Sequence, residues 1–258
     1  MVKINALTEY ADDDGNSIES PSLFDKDINI TIRGKNNRIV IDEKARIGKL
    51  TLVMDCDNGT LIVGPSSKKA LQMNIRIGED SIVKIGANVT TTSMPIVSAV
   101  EGSTVSFGDD VMIASQNQFR ADDGHPIFDI ATGKRVNPAK DIIVGNHVWI
   151  GAKATLLGGA KIGDGSVIGF GSIVTKEIPN NVIAVGSPAK VVRKNIAWER
   201  PHLSFVAPPY KPDVSTVKKS EKYWNATVDL HHPQVVKKSL TLFGRIMKKL
   251  GYQKITKS

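Results

Sequence analysis

Two residues in the middle of the chain have side chains suited to proton transfer and hydrogen-bond donation. His125 lies in the run DDGHPIFD, and a neutral imidazole can take a proton from a poor nucleophile near neutral pH. Asp122, Asp123 and Asp129 are near enough in sequence to orient one ring nitrogen, and all three stay open as candidates. Trp149 lies in HVWIG, where its indole can offer an N–H donor and an apolar ring face.

The elements that position these residues follow a six-residue repeat. From Val144 to Pro179 the units are VGNHVW, IGAKAT, LLGGAK, IGDGSV, IGFGSI and VTKEIP, each beginning with an aliphatic residue. An α-helix at about 3.6 residues per turn would scatter these aliphatic residues, and a flat strand would repeat every two residues. The period indicates a solenoid whose first and fifth positions point inward, with glycine in second position at the corners. Trp149, sixth in its unit, is predicted to point outward.

This repeat, followed by GSPAK at 186–190, resembles the hexapeptide-repeat acyltransferases. The resemblance implies an all-β chain folded as a left-handed parallel β-helix; the handedness comes from the resemblance and not from the period. DGHPIFD and HVWIG further resemble bacterial capsule O-acetyltransferases, especially the polysialic acid O-acetyltransferases, and WERPHLSFVAPPYKPD is similar to their C-terminal extension. By this resemblance a loop histidine and the tryptophan of VWIG form the active site, which gives His125 and Trp149 catalytic roles.

The rest of the chain is divided around the repeat. Residues 1–26 are polar and predict an irregular arm, which with the entry strands makes up residues 1–38. The β-helix is expected over residues 39–193, interrupted by an excursion loop at 119–141 where the six-residue order stops. Residues 194–258 are predicted to be a C-terminal extension that contains a short helix.

The basic character of the protein lies in that extension. The net charge is +8, and residues 1–193 carry 21 Lys/Arg against 22 Asp/Glu, so residues 194–258 hold the remaining 13 and 4, a net of +9. A helix over 235–250 would have one apolar and one basic face. We favour a helix that caps the prism or packs on a neighbouring subunit; a membrane-surface helix on anionic lipid is the alternative. No recognition motif for nucleic acid accompanies the charge.

Several features bear on the cellular location. There is no run of eighteen apolar residues, and MVKINALTEYADDDG lacks the apolar region of a secretory signal. Cys56 is the single cysteine, so no internal disulfide can form. These features predict a cytoplasmic protein, with the 235–250 helix as its candidate contact with the inner face of the membrane.

The resemblance implies acetyl-CoA as the acyl donor, lying in a groove that runs from Trp149 toward the C-terminal turns. The candidates for contact with the pantetheine arm are Trp149, Gly151, Ala152, Gly169, Phe170 and Ser172. The candidates for the CoA phosphates are the basic residues Lys153, Lys176, Lys190 and Arg193. The family resemblance also implies a homotrimer with sites between subunits, and no metal is expected to take part.

The implied function is acetyl-CoA-dependent O-acetylation of a sugar hydroxyl in a bacterial surface polysaccharide, expected to be a sialic-acid-containing capsule. O- or N-acetylation of lipopolysaccharide or of small amino sugars is the first alternative, and a non-catalytic β-helix scaffold is the second. A zinc enzyme of the carbonic anhydrase type is disfavoured, because its site needs three histidines and the repeat region has His125 and His147 alone. His147 itself is predicted to be a surface or subunit-contact residue, and His202, His231 and His232 are predicted to be structural.

Overall fold

The computed structural model of the chain describes residues 1–19, 24–66, 69–203, 217 and 219–229. These residues contain 23 strands and no α-helix. The described residues up to Thr227 belong to one compact unit, and of the second unit, Val228–Ser258, two residues are described. The predicted helix at 235–250 therefore lies outside the described residues. Within the described part of the chain no helix is long and apolar enough to cross a bilayer.

The strands are short and follow one another along the chain. The first twelve are β1 (Val2–Ile4), β2 (Tyr10–Ala11), β3 (Ser17–Glu19), β4 (Phe24–Ile32), β5 (Arg38–Ile41), β6 (Arg46–Met54), β7 (Thr60–Val63), β8 (Leu71–Ile77), β9 (Ile82–Ile85), β10 (Thr90–Thr91), β11 (Ile96–Ala99) and β12 (Thr104–Phe107). The others are β13 (Met112–Ile113), β14 (Gln118–Arg120), β15 (Ile142–Val144), β16 (Trp149–Ile150), β17 (Thr155–Leu157), β18 (Lys161–Ile162), β19 (Val167–Ile168), β20 (Ile173–Val174), β21 (Glu177–Ile178), β22 (Ile183–Gly186) and β23 (Ala189–Arg193).

Three sheets form the walls of a prism. Wall A has the order β1-β4-β6-β8-β11-β14-β17-β20, wall B the order β2-β3-β5-β7-β9-β12-β15-β18-β21, and wall C the order β10-β13-β16-β19-β22-β23. From β8 to β22 the chain visits A, B and C in turn, and each strand from β11 to β22 pairs in parallel with the strand one turn earlier. We name the corners by the walls that they join: A–B, B–C and C–A.

The six-residue repeat accounts for the core. All six aliphatic residues that begin the units are buried: Val144, Ile150, Leu156, Ile162, Ile168 and Val174. All six fifth-position residues are buried as well: Val148, Ala154, Ala160, Ser166, Ser172 and Ile178. Both inward positions are therefore confirmed. Each turn buries its apolar row against the turns above and below it, which is the way a solenoid gains stability.

The second-position glycines are required by close stacking. A Cβ on Gly151 would lie 2.7 Å from the carbonyl oxygen of Ile168 in the next turn, and one on Gly163 would lie 2.5 Å from the amide nitrogen of Asn180. The left-handed backbone falls two residues later, where the chain turns the corner. His147 and Lys153 adopt φ values of 51° and 61° there. Glycine thus lets adjacent turns approach, and the fourth position makes the turn.

The N-terminal turns begin earlier than predicted. β3 already pairs in parallel with β5, with Ser17 opposite Arg38, and β1 pairs antiparallel with β4. The irregular arm predicted for residues 1–26 is therefore wrong for much of its length, because alternating residues such as Ile18 reach the core. The strands on either side of GKNN are confirmed as β4 and β5. These early turns repeat every 22 residues, as the register Arg38–Thr60 and Thr60–Ile82 shows.

The excursion leaves the prism at the A–B corner. Phe119 belongs to β14 and is fully buried, with its ring in an edge-to-face contact with Phe107 at 4.8 Å. The loop therefore starts after Arg120 and not at residue 119. It contains one isolated antiparallel bridge, between Phe128 and Arg135, before the chain re-enters wall B at β15. At the C-terminal end of wall C, β22 and β23 form an antiparallel hairpin through GSPAK.

Candidate functional site

His125 lies in the excursion loop with its side chain exposed. Asn137, on the returning half of the loop, holds the backbone around it: Asn137 Nδ2 donates to the His125 carbonyl oxygen at 2.9 Å and to Asp123 Oδ2 at 3.0 Å. Asn137 Oδ1 accepts from the Ile127 amide at 2.7 Å. One amide side chain thus ties together residues on both sides of the histidine. Sequence reasoning missed Asn137, because nothing in VNPAK marks a contact with the other half of the loop.

The loop is fastened to the prism by an ion pair. Arg135 makes a bidentate contact with Glu101, with Nη1–Oε2 at 2.9 Å and Nη2–Oε1 at 3.0 Å. The hydrogen bond from Arg135 lowers the pKa of Glu101, although partial burial opposes this shift. Lys140 then donates its amide to the Ala121 carbonyl at 3.0 Å, which closes the base of the loop. Glu101 is at the same A–B corner, one turn earlier.

The three carboxylates proposed to orient His125 are bonded to other groups. Asp122 accepts from Ser98 Oγ at 2.6 Å, and Asp123 accepts from Asn137. Asp129 accepts from the hydroxyl and the amide of Thr132, and these bonds lower its pKa. Among the described residues no group makes a hydrogen bond to the His125 imidazole, and the orienting group stays open.

Trp149 begins β16 on wall C, between Met112 of the turn before and Val167 of the turn after. Its side chain is 40% exposed, so the outward orientation predicted from the sixth position is confirmed. Trp198 from the C-terminal extension lies beside the indole. The two ring centroids are 5.9 Å apart and the rings are tilted by 46°. The exposed remainder of the ring is available to a ligand lying along wall C.

His147 is buried, at 3% exposure, and the expectation that it is a surface or subunit-contact residue is wrong. Its Nδ1 lies 2.5 Å from Asp110 Oδ2 and its Nε2 lies 3.0 Å from the Trp198 carbonyl oxygen. The imidazole is stacked between Trp198, with centroids 4.1 Å apart, and Tyr223, with centroids 4.6 Å apart. Each ring nitrogen therefore faces a hydrogen-bond acceptor. The sequence suggested an exposed side chain because residues 198 and 223, which cover the ring, are distant from His147 in the sequence.

Asp110 joins this histidine to the C-terminal extension. Arg200 donates from Nε to Asp110 Oδ1 and from Nη2 to the Asp110 carbonyl oxygen at 2.7 Å. Burial by itself raises the pKa of Asp110, but the bonds and charges of His147 and Arg200 outweigh it and hold the pKa below its ordinary value. Trp198 Nε1 also donates to the His147 carbonyl at 2.9 Å. We call Asp110, His147, Trp198, Arg200 and Tyr223 the corner cluster.

Known proteins with similar sequences identify the family of this chain. Residues 141–176 match the family model described as bacterial transferase hexapeptide (six repeats). A polysialic acid O-acetyltransferase of Neisseria meningitidis is 35% identical over 172 residues, which are 66% of this chain and 79% of the relative. One from Escherichia coli O1:K1 / APEC is 39% identical over 135 residues, 50% of this chain, and this match spans 44% of that relative. The chain belongs to the hexapeptide-repeat O-acetyltransferases.

A solved structure extends the comparison to the fold. The crystal structure of the polySia-specific acetyltransferase NeuO superposes with a TM-score of 0.66 at 34% sequence identity, covering 74% of this chain and 89% of that one. The predicted all-β, left-handed parallel β-helix is therefore confirmed for this acetyltransferase.

The donor-site candidates of the acetyltransferase gather in part at the C–A corner next to Trp149. The amides of Gly151 and Gly169 are used in the ladder, donating to Ile168 and Ala184 at 2.8 Å and 2.9 Å. The amides at Ala152 and Phe170, one turn apart, have no hydrogen-bond partner within the described part of the chain. Lys153 and Phe170 meet at this corner, with the lysine Nζ 5.5 Å from the ring centroid.

Two other donor-site candidates lie elsewhere. Ser172 is fully buried, and its Oγ accepts from the Gly186 amide at 3.1 Å. It faces the core because it occupies a fifth position, so its side chain does not reach the surface on which CoA is expected to lie. Lys176 is exposed but lies between β20 and β21, at the A–B corner. Lys190 and Arg193 are exposed on β23, at the end of wall C.

One chain does not bring the two catalytic candidates together. The loop with His125 leaves from the A–B corner, and Trp149 is on wall C, which is the wall opposite that corner in a three-walled prism. The described residues include no contact between them. They also include no group of three or more His, Cys, Asp or Glu side chains arranged to hold a metal ion.

Proposed function

We propose that this protein transfers the acetyl group of acetyl-CoA to a hydroxyl of a sialic-acid-containing capsular polysaccharide. One observation carries the proposal: an exposed histidine on a braced loop and an exposed tryptophan on wall C occur in a β-helix that is 35% identical to a polysialic acid O-acetyltransferase. The exposed imidazole is open to an acceptor, and the half-covered indole is open to a donor.

The chemistry follows from these two side chains. A sugar hydroxyl is a poor nucleophile, so His125 takes its proton as the oxygen attacks the thioester carbonyl. The tetrahedral oxyanion then collapses, the C–S bond breaks, and the CoA thiolate leaves and receives a proton from the His125 imidazolium. Trp149 holds the acyl end of the donor through its ring face and N–H. The free amides of Ala152 and Phe170 and the ammonium group of Lys153 are placed to bind the rest of the donor.

The acceptor is tested by a panel of substrates. Acetyl transfer from acetyl-CoA should be measured on sialic acid polymers, neutral capsular polysaccharides, lipopolysaccharide and small amino sugars. We expect the sialic acid polymer to be acetylated on oxygen with the highest kcat/KM. Preferred acetylation of amino sugars or lipopolysaccharide would replace the proposed acceptor, and the absence of both transfer and CoA binding would favour a scaffold.

We further propose that the active unit is a homotrimer in which the loop of one subunit meets wall C of the next. This arrangement would unite His125 and Trp149, which one chain keeps on opposite sides. Mixing the impaired variants His125→Ala and Trp149→Ala in equal amounts should restore roughly a quarter of the wild-type sites, if subunits assort at random in a symmetric ring. No recovery after unfolding and co-refolding would mean that both residues act within one chain. A cytoplasmic location and a membrane contact through 235–250 remain proposals.

A further inference from the structure

The outer face of wall A contains a cleft that the proposed transfer step does not use. Its volume is about 410 Å³, and it lies where the excursion loop leaves the prism. Its lining includes Arg76, Ser98 and Arg120 from wall A and Asp122, Asp123 and Gly124 from the start of the loop. The cleft therefore adjoins the loop that carries His125.

The cleft results from the register of three parallel strands. Arg76 of β8 pairs with Ser98 of β11, and Ser98 pairs with Arg120 of β14. Since neighbouring strands are about 4.8 Å apart, the two arginines stand roughly 9.6 Å apart on either side of a short side chain. A small residue between two long ones leaves a depression with a guanidinium group on each side.

Both arginines have donors left for a ligand. Arg120 uses Nε to bond Gln118 Oε1 at 2.8 Å, and within the described part of the chain no carboxylate is at ion-pair distance from it. Arg76 is held through Nε by Asp55 Oδ2 at 2.8 Å. Their terminal nitrogens make no hydrogen bond to the described residues. Two guanidinium forks fixed at Nε are preorganised for a carboxylate, because the planar group can donate two parallel bonds.

Asp122 adds a carboxylate to a cleft that also holds two guanidinium groups. Ser98 Oγ donates to Asp122 Oδ2 at 2.6 Å and fixes the carboxylate at the edge of the cleft. A carboxylate accepts hydrogen bonds from hydroxyls and repels anions. A ligand that carries anionic charge but no hydroxyl meets this repulsion, and a neutral sugar offers no carboxylate to the terminal nitrogens of the two arginines. A sugar with both a carboxylate and hydroxyl groups satisfies each side chain.

We propose that this cleft binds a carboxylated sugar unit of the acceptor polymer, with Arg120 and Arg76 on the carboxylate and Asp122 on a hydroxyl. The proposal rests on the proposed function and names a subsite for its acceptor. It makes the two arginines specificity-determining residues, because they hold the chain of the acceptor beside the His125 loop and take no part in acetyl transfer itself.

The direct test is binding of a short sialic acid oligomer, measured by calorimetry without acetyl-CoA. Arg120→Gln should weaken binding by about tenfold or more, as expected for the loss of a charge-assisted hydrogen bond. Arg120→Lys should fall between this variant and the wild type. The matched control is Arg38→Gln, which removes the same charge from an exposed arginine of wall B. An oligomer whose carboxyl groups are reduced to alcohols should bind wild type and Arg120→Gln equally weakly.

Steady-state kinetics then distinguish acceptor binding at the subsite from the acetyl transfer step. With the sialic acid polymer, Arg120→Gln should raise KM by a similar factor and leave kcat and the affinity for CoA near wild type. Equal binding of the native oligomer by wild type, Arg120→Gln and Arg38→Gln would overturn the subsite while leaving acetyl transfer intact. Binding of the oligomer with the expected arginine dependence, but without transfer of acetyl, would instead contradict the proposed function and keep the cleft as a carboxylated-sugar site.

Discussion

His125 and His147 both lie at corners of the prism, 22 positions apart in sequence, and the structure surrounds them with different environments. The His125 ring is exposed and makes no hydrogen bond to the described residues, while its backbone is held by Asn137. The His147 ring is buried between two aromatic rings, with both nitrogens bonded to acceptors.

This difference separates a reactive histidine from a structural one. A general base needs a nitrogen free to accept a proton and a path for the acceptor to reach it. His147 has neither, because both ring nitrogens lie against acceptors and both ring faces are covered. The residues that cover His147 also reach Trp149, because Trp198 contacts both the His147 ring and the Trp149 ring. The corner cluster therefore links the fold of the C-terminal extension to the expected donor site.

The largest effect is expected from His125→Ala. Loss of a positioned general base should lower kcat by about 10²–10⁴-fold. The melting temperature and the affinity for CoA should stay close to wild type, because the side chain is exposed and packs on nothing in the core. Steady-state kinetics, thermal unfolding and calorimetric CoA binding measure the three quantities. Wild-type turnover in this variant would remove His125 from the mechanism.

His147→Ala should have the reverse profile. Removing the ring leaves Asp110 with Arg200 as its remaining side-chain partner and takes away the surface on which Trp198 and Tyr223 stack, so we expect a loss of about 3 kcal/mol in unfolding free energy. The melting temperature should fall by on the order of 10 °C. His125→Ala serves as the matched control. Abolished turnover with an unchanged melting temperature would mean that the base had been assigned to the wrong histidine.

The link between the corner cluster and the donor site can be tested with tryptophan variants. Trp149→Ala should weaken CoA binding by roughly tenfold, equivalent to about 1.4 kcal/mol, because the ring face and the N–H are lost. Trp198→Ala should weaken CoA binding less than Trp149→Ala does, because it only releases the Trp149 ring. The double variant should lose less binding free energy than the sum of the two single losses. Trp224→Ala, which removes an exposed indole bonded to Glu199, is the control. Strict additivity would argue that Trp198 does not position Trp149.

Acid should weaken the corner cluster at a defined pH. The pKa of Asp110 is held below its ordinary value in the folded protein, so its stabilising contribution is complete above the ordinary pKa of 3.8 and is lost as the pH falls toward the folded-state pKa. Urea unfolding of wild type and Asp110→Asn should therefore give a difference in free energy that is constant from neutral pH to about pH 5 and shrinks below about pH 4. A difference that persists unchanged at pH 3 would contradict this linkage.

The smallest effect on donor binding is expected at Ser172. Ser172→Ala should leave the Kd for CoA unchanged, since the hydroxyl is buried and bonds Gly186. Its loss should cost about 1 kcal/mol of stability through the unpaired amide. Lys153→Ala, at the C–A corner, is the contrasting variant and should weaken CoA binding measurably. A weaker CoA affinity for Ser172→Ala than for Lys153→Ala would return the serine to the donor site.

The prediction of the fold was accurate where the repeat is strict. From Val144 to Ile178 every inward position came from the sequence, because a solenoid turn contacts its sequence neighbours and local order carries the information. The prediction failed at residues 1–26, because turns of 22 residues do not show the six-residue period. It also failed at Phe119, whose place in the core is shown by its contact with Phe107.

The sequence by itself determined the β-helix, the loop that interrupts it and the two residue types that suit acetyl transfer, since each of these is a local pattern of spacing and composition. The tertiary structure decided what surrounds each side chain. It buried His147 under Trp198 and Tyr223, separated Lys176 from Trp149, and aligned Arg76 with Arg120. The burial of His147 depends on contacts between residues far apart in the sequence, such as His147 with Trp198, 51 positions away, and Asp110 with Arg200, 90 positions away.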